Sequence, residues 1–204
     1  MWSEFCADVS LYSALRCPGA GRVRRALNCA HSRGLFVLTV QRLNRYYSEE
    51  RRRSGWTLQT IALRVLIGIG RAVAIVAAKC DVAASSVIGA GVYLSDYGHL
   101  ILGPKCVGSG TVIHSRVTMG VRAGSDIRPA IGENVWIGPD CIIYGELTVG
   151  DGATILPGTV LSMSVPPRAV AAGNPATIIR RDFDNTGLRR TLACDIDRNE
   201  VAPT

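Results

Sequence analysis

Residues 131–163 read IGENVWIGPDCIIYGELTVGDGATILPGTVLSM, a segment full of Gly, Asp and Pro in which an aliphatic side chain nevertheless returns at a fixed interval. Ile131, Ile137, Ile143, Val149, Ile155 and Leu161 stand six residues apart, and Gly132, Gly138 and Gly150 follow three of them. An α-helix repeats about every 3.6 residues and a half-buried strand about every 2, so neither has this period. A six-residue repeat with one aliphatic anchor marks a parallel β-helix, in which each repeat supplies a short strand and a turn and three repeats close a coil. The anchors point inward and fill the tube. Gly, Asn and Asp make the corners, where they tolerate the backbone angles required.

The spacing extends upstream through Val107, Ile113 and Met119, and again through Val82, Ile88 and Leu94, which predicts about four to five coils. Two irregularities interrupt it. Leu94 to Val107 is one residue too long, which predicts a bulge near SDYGHLILG (residues 95–103). The stretch between Met119 and Ile131 lacks an apolar anchor at Ser125. A regular wall is structural, so these interruptions are where a site is expected.

The 204 residues carry a net charge of +7, concentrated in GRVRR, EERRR, IIRRD and LRR, which favours anionic partners such as a phosphate-bearing ligand. With few aromatics and no zinc-finger or RNP pattern, no nucleic-acid module is indicated. The seven cysteines are scattered without a CxxC pair, and no His, Cys or Asp cluster has ligand spacing, so no metal site is expected. Scattered thiols, and the lack of a charged leader followed by an apolar stretch and cleavage site, lead to the expectation of a cytoplasmic protein.

Residues 1–80 read as a small helical domain, 81–181 as the β-helix and 182–204 as a polar tail without a clear period. One segment, WTLQTIALRVLIGIGRAVAIVAAKC (residues 56–80), is apolar enough to suggest a membrane span. Its Arg64 and Arg71, seven apart, lie on one helical face, which points instead to an amphipathic helix packed on its own protein, with contact to a membrane surface as the alternative reading.

DVAASSVIGAGVYLSDYGHLILG, VIHSRVTMG and the run from IGENVW to VPPRAVAAGNPATII resemble the left-handed β-helix acetyltransferases, closest to serine O-acetyltransferases, over about half the chain. VPPRAVAAGNPATII is the most specific piece, resembling the segment that closes the β-helix and lines the acetyl-CoA cleft. The resemblance implies a mainly β protein, a left-handed parallel β-helix preceded by helices, forming a homotrimer. It also implies transfer of an acetyl group from acetyl-CoA to serine or a similar small hydroxyl-bearing acceptor. A sugar or polysaccharide acceptor, or a scaffold without catalysis, are the competing readings. By position, Gly120, Ala153, Gly173 and Asn174 match the family's largely backbone contacts with CoA, and Arg180 or Arg181 is placed to meet a CoA phosphate.

The family's catalytic positions carry other residues here. Asp81 matches an Asp that opens the first coil, but the family's Asp-His pair fifteen residues on falls on Ser95 and Asp96. The second family histidine, in an RHP loop, falls on Arg128, which with Ser95 is left as a substrate contact. Of the three histidines, His31 lies in the helical part, His99 at the bulge, and His114 just after the anchor Ile113. One coil plus the extra residue stacks Ser95 beneath His114, with Asp96 beside it. A neutral imidazole, of ordinary pKa ~6.5, accepts a hydroxyl proton and is oriented by a carboxylate on its other nitrogen. His114 is therefore the leading candidate for the base, ahead of His99. Cys106 and Cys141, on the coils, read as small buried thiols.

Overall fold

A computed structural model describes residues 2–16, 32–55 and 57–189. Among the described residues three helices come first: α1 (Trp2–Arg16), α2 (Arg33–Ser54) and α3 (Leu58–Val76). Fifteen short strands follow, from β1 (Cys80–Val82) to β15 (Thr177–Arg180). They fall into three sheets: β1, β4 (Leu100–Leu102), β7 (Thr118–Gly120), β10 (Ile142–Tyr144) and β13 (Val160–Leu161); β2 (Val87–Ile88), β5 (Cys106–Val107), β8 (Ala130–Ile131) and β11 (Thr148–Val149); and β3 (Tyr93–Leu94), β6 (Val112–Ile113), β9 (Trp136–Ile137), β12 (Thr154–Ile155), β14 (Val170–Ala172) and β15, each in that order and with every pair parallel except β14–β15. Strands three apart in sequence are neighbours in space, apart from β14, which follows β12 because the repeat at Val165 makes only a single bridge to Val149, so the chain winds as a three-faced prism of about five coils. We term the faces A, B and C in that order.

Every anchor named from the period is buried: Val82, Ile88, Leu94, Val107, Ile113, Met119, Ile131, Ile137, Ile143, Val149, Ile155 and Leu161. They stack in register, as in Leu94↔Ile113↔Ile137↔Ile155 on face C. The two irregularities resolve differently. After Leu94 the chain takes an extended corner through Asp96–Gly98 and re-enters at β4 (Leu100–Leu102), where Leu102 pairs with Val82 and Met119 and is the inward residue of that repeat. Beyond β7 (Thr118–Gly120), residues 121–129 leave the wall at the A–B corner and return at β8 (Ala130–Ile131). The segment around Ser125 is thus an insertion rather than a strand with a missing anchor.

The helices seal the first coil. Tyr12 of α1 is fully buried, and its hydroxyl both donates to the Leu94 carbonyl and accepts from the Leu94 amide, each at 2.9 Å. Arg42 of α2 meets buried Asp8 of α1 at 3.2 Å and donates to the carbonyls of Ile88 and Gly89, joining two helices to the B–C corner of coil one. Burial raises the Asp8 pKa, and Arg42 opposes that shift without cancelling it. At Gly34 a Cβ would stand 2.3 Å from the Leu94 carbonyl oxygen and 2.4 Å from the Tyr12 hydroxyl, so only glycine admits α2 this close to the wall.

Helix α3 meets the expectation on one side only. It packs on α2 and β1 as expected, through Thr60, Ile67 and Ala74, yet the apolar side opposite them is uncovered. The polar tail begins with structure. Phe183 N–H bonds the Arg168 carbonyl, and buried Asn185 donates to the carbonyls of Asn134, Gly152 and Ala153, so residues to Arg189 lie along the B–C corner. Residues 17–31, with His31, and 190–204 lie outside the described residues.

Neighbouring positions on β10 (Ile142–Tyr144) give a direct check of the wall. Ile143 is 0% exposed and Ile142 44%, so Ile143→Ala is expected to cost about 2–5 kcal/mol and Ile142→Ala under about 1 kcal/mol, read from urea unfolding.

Candidate active site

The parallel stacking sorts the expected site residues onto the corners of the prism. The corner between faces C and A carries the most chemistry. Ser95 follows β3 (Tyr93–Leu94), and its amide donates to the Ile113 carbonyl at 3.0 Å, so Ser95 and His114 occupy equivalent places on successive coils. His114 is half-buried after β6 (Val112–Ile113), its ring 4.9 Å from that of Trp136 in an edge-on contact. An indole packed against the imidazole limits its rotation and shields one flank from water. His99 stands exposed on the same corner, just before β4.

Asp96 is buried, and its role is partly visible. Its Oδ1 accepts from Ser32 Oγ and from the Gly34 amide, each at 2.8 Å. Ser32 caps α2, so this carboxylate sits at the positive end of a helix and satisfies a donor that the helix itself cannot. Asp81 faces outward from β1 between buried Cys80 and Val82 and meets Arg71 of α3 at 3.8 Å. Both carboxylates thus hold the helical domain to the coils.

The remaining residues lie elsewhere. Gly120 ends β7 at the A–B corner with open space where a Cβ would stand. Arg128, at the end of the inserted loop on that corner, donates to Ser85 Oγ. Ala153 is buried at the B–C corner, its amide bonded to the Gly150 carbonyl and its carbonyl accepting from the Trp136 amide and Asn185. Gly173, at φ +101°, and Asn174, joined to Pro175 by a cis peptide, are exposed at the upper end of the C–A corner where β14 (Val170–Ala172) turns back into β15. Arg180, at the end of β15, lies over the Phe183 ring at 5.2 Å.

Two features of this corner escape a reading of the anchors. Trp136 beside His114 is one. The other is an exposed ion pair in which Arg116 Nε and Nη2 reach the Asp140 carboxylate at 2.5 and 2.6 Å, holding that carboxyl below its usual range. Both follow from adding one coil and the insertion, twenty-four residues in all, to Val112 and Arg116. Burial pushes the Cys141 thiol up to about 11 and the Cys80 thiol up to about 12, which leaves both protonated and unreactive near neutrality. Among the described residues no group of three His, Cys, Asp or Glu converges as metal ligands would.

Comparison with known proteins agrees with this architecture. Residues 128–162 match the family model "Bacterial transferase hexapeptide (six repeats)". The chain is 35% identical over 114 residues to serine acetyltransferase of Escherichia coli K12, covering 54% of this chain and 42% of that protein. It is 45% identical over 62 residues to chloramphenicol acetyltransferase of Agrobacterium fabrum, covering 30% of each. The chain therefore spans less than half the length of these relatives. The crystal structure of serine acetyltransferase from Brucella abortus in complex with coenzyme A superposes with a TM-score of 0.71 and 23% identity, covering 88% of this chain and 68% of that one. The fold is that of a hexapeptide-repeat β-helix with an N-terminal helical part. Over about half of its length the sequence is similar to that of serine acetyltransferases.

Asp96 gives a test that separates anchoring from chemistry. Asp96→Ala removes the acceptor for Ser32 and Gly34 and is expected to cost about 1–3 kcal/mol of stability, whereas Asp96→Asn keeps an oxygen there and is expected to cost less, both read from thermal or urea unfolding.

Proposed function

We propose that this protein is an acetyl-CoA-dependent O-acetyltransferase acting on serine or a serine-like small alcohol. The observation that carries the reading is the C–A corner. A half-buried histidine lies above Ser95, at the foot of a column that ends in the exposed Gly173–Asn174 turn. The acetyltransferase names of the relatives, and the coenzyme A complex of the Brucella enzyme, support an acetyl-CoA donor. Serine as acceptor rests on the E. coli relative. The chloramphenicol acetyltransferase match, over a shorter span, favours a different alcohol as the second reading.

The chemistry asks little of the protein. An alcohol oxygen attacks the thioester carbonyl, His114 takes the hydroxyl proton, and the tetrahedral intermediate collapses to the acetyl ester as the CoA thiolate leaves and is protonated. A positioned base contributes roughly 10²–10⁴-fold, and a backbone N–H aimed at the oxyanion contributes on the order of 10²–10³-fold. Burial by Trp136 orients the imidazole. Asp96 holds the corner beneath it by fixing α2.

The distribution of residues supports a homotrimer. Ser95, His114 and Gly173 lie on one corner of the prism, whereas Arg128 and Gly120 lie on another. One chain keeps these corners apart; a neighbouring prism brings one corner against the other. The cytoplasm is the location we propose, from the scattered reduced thiols.

Replacing His114 by Ala is expected to lower kcat about 10²-fold or more with little change in KM for acetyl-CoA, while Asp96→Asn and His99→Ala lose less. Steady-state kinetics on the three variants checks the order. An intact rate in His114→Ala would remove the imidazole from the mechanism.

A further inference from the structure

The side of α3 that the fold leaves uncovered has a specific pattern. Leu58, Val65, Ile69 and Val76, spaced seven, four and seven apart, form one stripe and are 84%, 58%, 58% and 78% exposed. Ile61, Leu66 and Val73 widen it. The buried stripe, Thr60, Ile67 and Ala74, lies on the opposite side of the helix. An apolar side facing outward along nineteen residues is far from what a surface helix of a soluble domain presents.

The charges around this side have one sign. Residues 51–80 hold six Lys or Arg and no Asp or Glu. Arg52 and Arg53, exposed, stand at the end where α2 turns into α3; Arg64 is exposed on the flank; Lys79 is exposed beyond the other end. Arg71 is tied to Asp81, and the acids toward that end of α2 are Glu49, held by Arg45 at 3.5 Å, and Glu50, next to Arg51.

We propose that α3 docks flat on an anionic lipid surface, its apolar stripe entering the headgroup boundary and its basic rim meeting lipid phosphates. The helix is long and apolar enough to span a bilayer, but its other side is committed. It packs on α2 and β1, with Gly70 allowing close approach to Val40, and Arg71 bonds the first strand of the prism. Spanning would tear these contacts, whereas lying in the interface keeps them. A second copy is the poorer complement. Two such faces packed together would bring only cations to their common rim, whereas anionic headgroups supply the missing sign.

The test uses the full chain and sedimenting vesicles of phosphatidylcholine, with and without phosphatidylglycerol. The chain is expected to co-sediment with the anionic vesicles. Val65→Glu with Ile69→Glu is expected to weaken that binding about tenfold or more. Arg52→Gln with Arg53→Gln is expected to weaken it for anionic vesicles specifically. Circular dichroism and sedimentation without lipid should be unchanged in both. The proposal is overturned if the wild type stays in the supernatant with anionic vesicles, or if the Val65→Glu, Ile69→Glu protein binds as tightly as wild type. A wild type that ignores vesicles, with a double variant of altered oligomeric state, would assign the face to a second copy.

Discussion

One inward aliphatic side chain every sixth residue is the constraint on which the rest of this molecule depends. Each coil offers the interior only three such positions, and each face aligns its anchor with those above and below. Backbone hydrogen bonds between coils then follow automatically, as in the unbroken face C ladder from Leu94 to Ile155. A residue that does not fit the interval has nowhere to go but outward at a corner. Chemistry is therefore confined to corners, and the two departures from the period mark the corners that differ from the wall.

The helical domain uses the first of these departures. The lengthened corner after Leu94 puts Asp96 against the amino end of α2, while Tyr12 closes on both backbone groups of Leu94 and Arg42 reaches across from Asp8 to coil one. A carboxylate where the family resemblance implies a histidine would, on that resemblance alone, look like a lost site. Its hydrogen bonds show a structural use, coupling the position of α2 to the floor of the corner that bears His114. Leaving an acceptor-less Ser32 and Gly34 buried there would cost more than any exposed ion pair on the same corner returns, since exposed pairs such as Arg116–Asp140 are screened by water.

The wall was legible in the sequence because its signal is periodic and local: each named anchor, from Val82 to Leu161, is buried. The Ser95–His114 stacking was legible for the same reason, by counting one coil and the extra residue. What the period could not reveal depends on contacts of long sequence separation. The partners of Asp96 lie over sixty residues away on a helix start, and the first part of the tail packs through Asn185 onto the carbonyl of Asn134. In the repeat that carries the bulge Leu102 is the inward residue, something spacing alone leaves open because a bulge changes which side chain points in. The corner assignment also separated Arg128 from His114, a relation the linear sequence does not express.

The central claim is that this corner, with its altered residues, still transfers acetyl groups. It is tested most directly by following free thiol release from acetyl-CoA in the presence of serine, homoserine and simple sugars, with the acetylated product identified by mass. The account predicts thiol release that depends on the acceptor, matched by an equal amount of O-acetyl product, with serine or a close analogue preferred. Binding of acetyl-CoA with no thiol release above the uncatalysed rate for any of these alcohols would contradict it, and would make the prism a binding scaffold.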